Sequence, residues 1–94
     1  MVILQIEHQV PSYETWRKAF DSDPFDRKKT GVKNVRIYVS TEDPNHVIVD
    51  VAFESIEEAK STLVELQKLW GKITGVVSSV PKTRFMFMVD EVNV

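Results

Sequence analysis

The chain has 94 residues, of which 43% are hydrophobic and 28% are charged, and its formal net charge is −2. This predicts one globular domain, residues 1–94, and the near-neutral charge argues against a nucleic-acid partner or an anionic membrane surface. The sequence has no cysteine, which excludes a thiolate metal site, and neither His8 nor His46 has a second ligand at a usual spacing, so we expect no metal site. It has no Gly-rich phosphate loop or nucleotide motif, and we expect no cofactor. The N-terminal apolar run, residues 1–6, is too short to span a bilayer, so we expect a cytoplasmic protein with no membrane partner.

The first part of the chain predicts a strand and a helix. Alternating apolar residues predict the strand over residues 2–10. Ser12 is a candidate N-cap for a helix whose aromatic stripe consists of Tyr13, Trp16 and Phe20. Residues 21–24 end this helix, and we interpret the irregular stretch that follows, with a short turn at residues 25–29, as a lid.

Two strands, over residues 32–41 and 45–54, come next and are joined by a turn at residues 42–44. The second strand has one apolar face, whereas Asp50 lies on its other face. A register slip of one residue would set polar side chains against apolar ones, so the predicted register places Arg36 opposite or diagonal to Asp50. Side chains that are opposite or diagonal on paired strands are close enough for an ion pair, so we expect one between Arg36 and Asp50.

The last part of the chain predicts a second helix and a fourth strand. Residues 55–58, Ser-Ile-Glu-Glu, are a capping box, and apolar residues then recur at helical spacing up to Trp70, before Gly71. Residues 74–81 are predicted to form a loop with a short extended piece at Val76 and Val77. The fourth strand, over residues 83–92, is apolar enough to indicate burial at an interface.

This order of elements, β-α-β-β-α-β, predicts an α+β ferredoxin-like domain, in which two helices cover one face of an antiparallel sheet. The face left uncovered, the open face, is too apolar to remain in water and too charged to be simple core. It comprises Ile3, Gln5, Glu7, Arg36, Tyr38, Ile48, Asp50, Ala52, Met86 and Met88. A second copy packed about a two-fold axis would cover it, which predicts a homodimer with cavities for a small organic ligand.

The candidate catalytic residues lie on this open face. They are Asp50, Glu7 and Arg36, because a partly buried carboxylate near a like charge has a raised pKa suited to proton abstraction. The alternative is a structural ion pair that fixes the register of the dimer. Tyr38 would bind an enolate or phenolate oxygen together with Arg36. Met86 and Met88 would supply adaptable apolar walls.

Three further candidate ligand-binding residues lie elsewhere. His8 faces the helices by strand parity, and we expect a structural histidine, bonded to the start of the first helix or the Asp21 region, rather than a catalytic base. Arg27, in the predicted lid, either clamps an anionic substrate or pairs with Asp21 or Asp23. Trp70 is either core or the wall of a pocket at a helix end.

Several short segments, spread over nearly the whole chain, resemble one protein family. They are His8-Gln-Val-Pro-Ser-Tyr-Glu-Thr-Trp16, Phe20-Asp21, Asp23-Pro24, Arg27, Gly31-Val32, Asp43-Pro-Asn45, Val49-Asp50 and Leu69-Trp70-Gly71. The family consists of short proteins of the dimeric α+β barrel superfamily, often labelled cyclase or antibiotic-biosynthesis-monooxygenase-like. The resemblance implies a homodimer with a small-molecule cavity in each subunit, between the sheet and the helices or at the subunit boundary.

Relatives in this superfamily have different activities. Some oxidise polyketide anthrones with oxygen and no cofactor, and others degrade haem with an asparagine on the first strand, a tryptophan on the second helix and a histidine beyond it. Trp70 matches that tryptophan, but Gln5 or Glu7 replaces the asparagine and no histidine follows His46. We therefore set haem aside.

Three functional hypotheses follow. The first is a cofactor-independent monooxygenase or cyclase for an aromatic or polyketide-like substrate. The second is a non-catalytic ligand-binding or regulatory module, since domains of this strand order also bind small molecules without reacting. An RNA-binding domain ranks last, because the open face of the strand at residues 45–54 has neither stacked aromatic nor basic residues.

Overall fold

The elements follow the predicted order in the computed structural model, which describes residues 1–24, 26–71 and 80–94. The strands are β1 (Val2–Gln9), β2 (Asn34–Val39), β3 (His46–Phe53) and β4 (Lys82–Phe87), and the helices are α1 (Tyr13–Asp21) and α2 (Ile56–Trp70). All the strands pair antiparallel in one sheet of order β2-β3-β1-β4. The predicted ferredoxin-like fold is confirmed.

The hydrophobic core lies between the sheet and the helices. Alternate residues of the two central strands are buried in it: Val2, Leu4, Ile6, Val47, Val49, Val51 and Phe53. Trp16 of α1 and Ala59 of α2 complete the same cluster. Because side chains alternate along a strand, the residues between them project from the opposite side of the sheet and form the predicted open face.

Both helices begin at the predicted caps. The Ser12 hydroxyl accepts a hydrogen bond from the backbone N–H of Thr15 at 3.4 Å. The Ser55 hydroxyl accepts from the backbone N–H of Glu58 at 3.2 Å and donates to the carboxylate of Glu58 at 3.1 Å. These contacts satisfy N–H groups that a helix start leaves unpaired, so the capping residues fix where each helix begins.

Asn45, in the turn between β2 and β3, holds the start of α1 over the end of the sheet. Its side-chain oxygen accepts a hydrogen bond from the backbone N–H of Tyr13 at 3.1 Å. Its backbone carbonyl accepts from the N–H of Val10 at 2.8 Å. The turn therefore positions the aromatic face of α1 above β1.

The connection between α1 and β2 is a series of turns. Asp23 and Asp26 have positive φ angles of 49° and 52°, which aspartate tolerates better than most residues. The Asp23 carboxylate accepts from the backbone N–H of Arg27 at 2.9 Å, as expected for a capped turn. Gly31 has φ 94° and lies so close to the N-terminus of α2 that an added Cβ would overlap the carboxylate of Glu58. The predicted turn also includes Phe25, which lies outside the described residues.

The outer strands are shorter than predicted. β4 ends at Phe87 instead of residue 92, because Phe87 pairs with Val2, the first residue of β1, and among the described residues only one more backbone bond follows, from the Met88 N–H to the Met1 carbonyl at 3.0 Å. Phe87 lies on the same side of the sheet as Val2 but is 71% exposed, and Val89 is 92% exposed, although we expected this apolar segment to be buried. The predicted loop at residues 74–81, with Val76 and Val77, falls mostly outside the described residues.

Candidate functional site

A cavity of about 140 Å³ lies between the helices and the sheet. Its walls come from both helices, β1, β3 and the connection between α1 and β2. They are Ile6, His8, Trp16, Ala19, Phe20, Asp23, Pro24, Arg27, Thr30, Val32, Val49, Val51, Thr62, Leu66, Leu69 and Trp70. Three predicted ligand-binding residues, His8, Arg27 and Trp70, therefore meet in one space, which we call the helix-side cavity.

Among the polar side chains that line this cavity, His8 has the least satisfied hydrogen-bonding groups. It is 5% exposed, and neither ring nitrogen has a hydrogen-bond partner in the described part of the chain. The expected hydrogen bond from His8 to the start of the first helix or to the Asp21 region is therefore wrong. Its expected partners are engaged elsewhere, since Ser12 and Asn45 bond the start of α1 and Asp21 pairs with Arg17 at 3.0 Å.

Burial also sets the charge of this imidazole. Loss of hydration, together with the charge of His46, lowers the pKa of His8 to about 4. At neutral pH the ring is therefore uncharged, with one N–H donor and one acceptor nitrogen. The Trp16 ring lies beside it, with 5.6 Å between the ring centroids.

Arg27 closes one side of the cavity, but its charge is already compensated. Its guanidinium carbon lies 4.0 Å from the centroid of the Phe20 ring, and its Nη1 donates to the Phe20 carbonyl at 2.7 Å. The same nitrogen lies 3.5 Å from the carboxylate of Asp23. The predicted pairing of Arg27 with Asp23 is confirmed, and this arginine holds the connection against α1.

The helix-side cavity is thus apolar, aromatic and close to electrically neutral. Trp16 and Phe20 stack with 5.3 Å between their centroids, and Trp70 adds a third ring. Thr62 contributes a buried hydroxyl that we did not predict as part of a site. The sequence did contain a signal for its burial. Thr62 follows Ala59 by three residues and precedes Leu66 by four, and this spacing places it on the buried stripe of α2.

The predicted catalytic residues lie on the opposite, open face of the sheet. Arg36 pairs in register with Asp50, as predicted. The expected ion pair is nevertheless wrong: within the described ranges, the salt bridges do not include these two residues. The Asp50 carboxylate instead accepts from the Gln5 side-chain amide at 2.8 Å, because Gln5 lies directly opposite on β1, whereas Arg36 is exposed on the edge strand.

Glu7 belongs to another part of the open face. Its carboxylate accepts a hydrogen bond from the His46 ring at 2.8 Å and lies 3.8 Å from the Arg84 guanidinium. The hydrogen bond from His46 holds the pKa of Glu7 below its usual value, so the expected raised pKa is wrong for this carboxylate. Glu7 is therefore better suited to accept hydrogen bonds than to abstract a proton.

The remaining predicted residues of the open face are only partly brought together. A wide depression of about 400 Å³ is lined by Arg36, Asp50, Met86 and Met88, among others. Tyr38 is 47% exposed and does not contribute to its wall. A catalytic or binding role for this set remains a prediction.

No protein-family profile matches the chain, and no curated protein matches it in sequence. Solved structures share its fold. A monooxygenase of Streptomyces coelicolor in complex with the ligand nanaomycin D is 17% identical with a TM-score of 0.68, over 99% of this chain and 91% of that one. A mutant of MhuD with two manganese protoporphyrin IX bound per active site is 13% identical with a TM-score of 0.73, over 100% of both chains. A dimeric ferredoxin-like protein from an uncultured marine organism is 12% identical with a TM-score of 0.66, over 97% of each.

The fold is that of antibiotic-biosynthesis-monooxygenase-like, ferredoxin-like proteins, as the resemblance implied. At 17% identity or less these likenesses define the fold alone, so ligand and reaction are argued from the site. Among the described residues, no helix has the length and apolar character needed to cross a membrane. The cytoplasmic location, the cofactor-free state and the absence of a nucleic-acid partner stay predictions.

A porphyrin does not fit the helix-side cavity. Pockets that hold drug-sized ligands measure roughly 300–1,000 Å³, and a porphyrin is at least as large as such a ligand. The cavity of about 140 Å³ is less than half the lower limit. The helix-side cavity is therefore too small for a porphyrin, and setting haem aside stays a prediction from the sequence.

Proposed function

We propose that this protein is a homodimer that binds a small aromatic molecule in the helix-side cavity of each subunit. The observation that carries the proposal is His8, whose two ring nitrogens are buried at the wall of an apolar space without a partner among the described residues. Leaving a polar group buried and unpaired costs roughly 1–3 kcal/mol. A ligand oxygen beside the ring would remove that cost, and the three aromatic walls favour a flat, unsaturated ligand.

The homodimer is supported by the apolar surface that the single chain leaves uncovered. Tyr38, Phe87, Met88 and Val89 are all exposed at the open face or at the end of β4. A second copy would bury them, and one of the similar structures is a dimeric ferredoxin-like protein.

The binding site is tested by thermal unfolding with a panel of uncharged hydroxylated aromatic compounds of one to three rings. A ligand that binds only the folded chain raises the melting temperature. Ala19→Leu, which adds side-chain volume inside the helix-side cavity, should abolish the increase for any active compound. Val64→Leu, on the exposed surface of α2, is the matched control and should still show the increase in melting temperature.

Two results would contradict the proposal. One is a panel in which no compound stabilises the wild-type chain. The other is an increase that survives Ala19→Leu but disappears in Asp50→Ala, which would place the ligand on the open face, as the sequence first suggested.

Cofactor-independent oxidation is a second candidate function, because the acceptor nitrogen of His8 would take the hydrogen bond of a ligand hydroxyl. The lowered pKa of His8 makes it a weak base, so the hydroxyl proton would leave only as an electron passes from the ligand to O₂. One oxygen atom of O₂ would enter a ring carbon as a carbonyl and the other would leave as water, giving a quinone. Aerobic incubation of the protein with each bound compound tests this. Consumption of one O₂ per quinone formed would support it, whereas recovery of the compound unchanged would favour a binding protein.

A further inference from the structure

We infer that the ligand of the helix-side cavity is an uncharged, single-ring aromatic compound whose hydroxyl group bonds to His8. This inference rests on the proposed function and narrows it in three respects, namely size, charge and the polar group recognised. Each respect follows from a different feature of the cavity.

The volume limits the ligand to about one ring. An apolar protein cavity of about 150 Å³ is large enough to hold benzene, and the helix-side cavity measures about 140 Å³. Its walls include residues of the central strands, Ile6, Val49 and Val51, which the sheet ladder holds in place. A second fused ring would have to displace these residues, or project through the open side of the cavity and stay in contact with water.

The charges around the cavity favour an uncharged ligand. Arg27 is the cationic side chain among the described wall residues, and it is already engaged by the Asp23 carboxylate, the Phe20 carbonyl and the Phe20 ring. An anionic ligand would have to compete with Asp23 for it. Apart from the His8 ring and the hydroxyls of Thr30 and Thr62, the rest of the wall is aromatic or aliphatic, and none of these groups carries a charge that would compensate a buried one.

His8 determines which polar group the ligand should carry. A neutral imidazole has one donor and one acceptor nitrogen, and neither has a partner in residues 1–24, 26–71 and 80–94. A hydroxyl group can donate to the acceptor nitrogen or accept from the N–H, so it satisfies either tautomer. A carbonyl oxygen can only accept and therefore suits only one nitrogen.

The experiment compares four probes by isothermal titration calorimetry on the wild-type chain: phenol, toluene, benzoate and 1-naphthol. Phenol should bind most tightly. Toluene, which has the same ring without the hydroxyl, should bind roughly threefold to tenfold more weakly. Benzoate and 1-naphthol should each bind at least about tenfold more weakly than phenol, because charge and a second ring are disfavoured.

His8→Phe tests the recognition of the hydroxyl. The variant should bind phenol and toluene with similar affinity, since the replacement ring keeps the wall but offers no hydrogen bond. The sequence has two histidines, so NMR of the imidazole nitrogens gives a second readout: phenol should shift the His8 signals, and toluene should leave them nearly unchanged.

The outcomes separate this inference from the proposed function. If benzoate or 1-naphthol binds at least as tightly as phenol, and Ala19→Leu removes that binding, the cavity is a ligand site but its chemical class is different. If phenol keeps its preference over toluene in His8→Phe, the assigned hydrogen bond is wrong. If none of the probes binds, both the inference and the site itself are contradicted.

Discussion

His8 is buried because of its place on β1. The strand alternates strictly between buried and partly buried residues from Val2 onward, and His8 is the last of the buried set. A histidine at this position must lose its hydration, whether or not the surrounding chain supplies a hydrogen bond. This chain supplies none in its described part, which leaves a titratable group in an environment that favours its neutral form.

This burial predicts a loss of stability in mild acid. His8 binds a proton near pH 6.5 in the unfolded chain but only near pH 4 in the folded one. Between these values the unfolded chain takes up more protons, so stability is lost as the pH falls. At about 1.4 kcal/mol per pKa unit, the loss from pH 7 to about pH 5 is at most about 2 kcal/mol, and any solvent access reduces it.

This loss is measured by urea unfolding of the wild-type chain and His8→Phe at pH 7 and at about pH 5. The variant lacks the titrating ring and should lose correspondingly less stability on acidification. All other ionisable residues are the same in both proteins, so the difference between the two losses isolates His8. Equal losses would show that the folded chain protonates His8 as readily as the unfolded one.

The connection between α1 and β2 packs directly against the start of α2. Gly31 lies against the Glu58 side chain, which itself bonds to Ser55 in the capping box. Since residues of this connection also line the helix-side cavity, close approach at Gly31 helps to set the cavity's shape.

Gly31→Ala should therefore destabilise the fold. The position combines a φ of 94° with the overlap of an added Cβ and the Glu58 carboxylate, and such backbone strain alone costs about 1–3 kcal/mol. Gly71→Ala is the matched control: its φ is −70°, and its Cβ would lie 3.6 Å from the nearest carbonyl oxygen. This second change should be neutral or stabilise by roughly 0.4–1 kcal/mol. Chemical unfolding of both variants measures their free energies of unfolding. Similar losses of stability in Gly31→Ala and Gly71→Ala would contradict the prediction.

At the scale of elements, much of the fold could be predicted from the sequence. Period-two alternation gave the faces of β1 and β3, and the capping box at Ser55 gave the start of α2. These signals are local, because the residues that determine them are neighbours in the chain.

The candidate site was harder to predict because it depends on packing between distant segments. The sequence placed its catalytic hypothesis on the open face, where Asp50 interrupts an apolar strand. It gave no sign that Gln5 would take the place of Arg36 as the partner of that carboxylate. Nor could it show that the partners expected for His8 bond elsewhere, since strand parity predicts burial but not the absence of a partner.

At the scale of the whole molecule, the open face combines two features that a single chain leaves unresolved. Hydrogen bonds cross it from strand to strand, joining Asp50 to Gln5 and His46 to Glu7. Beside them, Tyr38 and Met88 expose apolar surface to water. A second sheet would bury this apolar surface, while the carboxylates of Asp50 and Glu7 already have partners within the chain, so dimer formation would not leave them unsatisfied.

Ile48→Lys should separate the proposed dimer into folded monomers. Ile48 lies on the open face of the central strand β3, opposite Glu7 of β1, so a lysine there would place a charge at the centre of the sheet-to-sheet contact. Sedimentation equilibrium should give twice the chain mass of 10.8 kDa for the wild type and the single chain mass for the variant. Val64→Lys, on the exposed surface of α2, should remain dimeric. If Ile48→Lys loses its circular dichroism signal, Tyr38→Lys repeats the test at an open-face residue that is 47% exposed in the single chain and needs no further burial to fold. A monomeric wild type, or dimers of both folded variants, would contradict association through the open face.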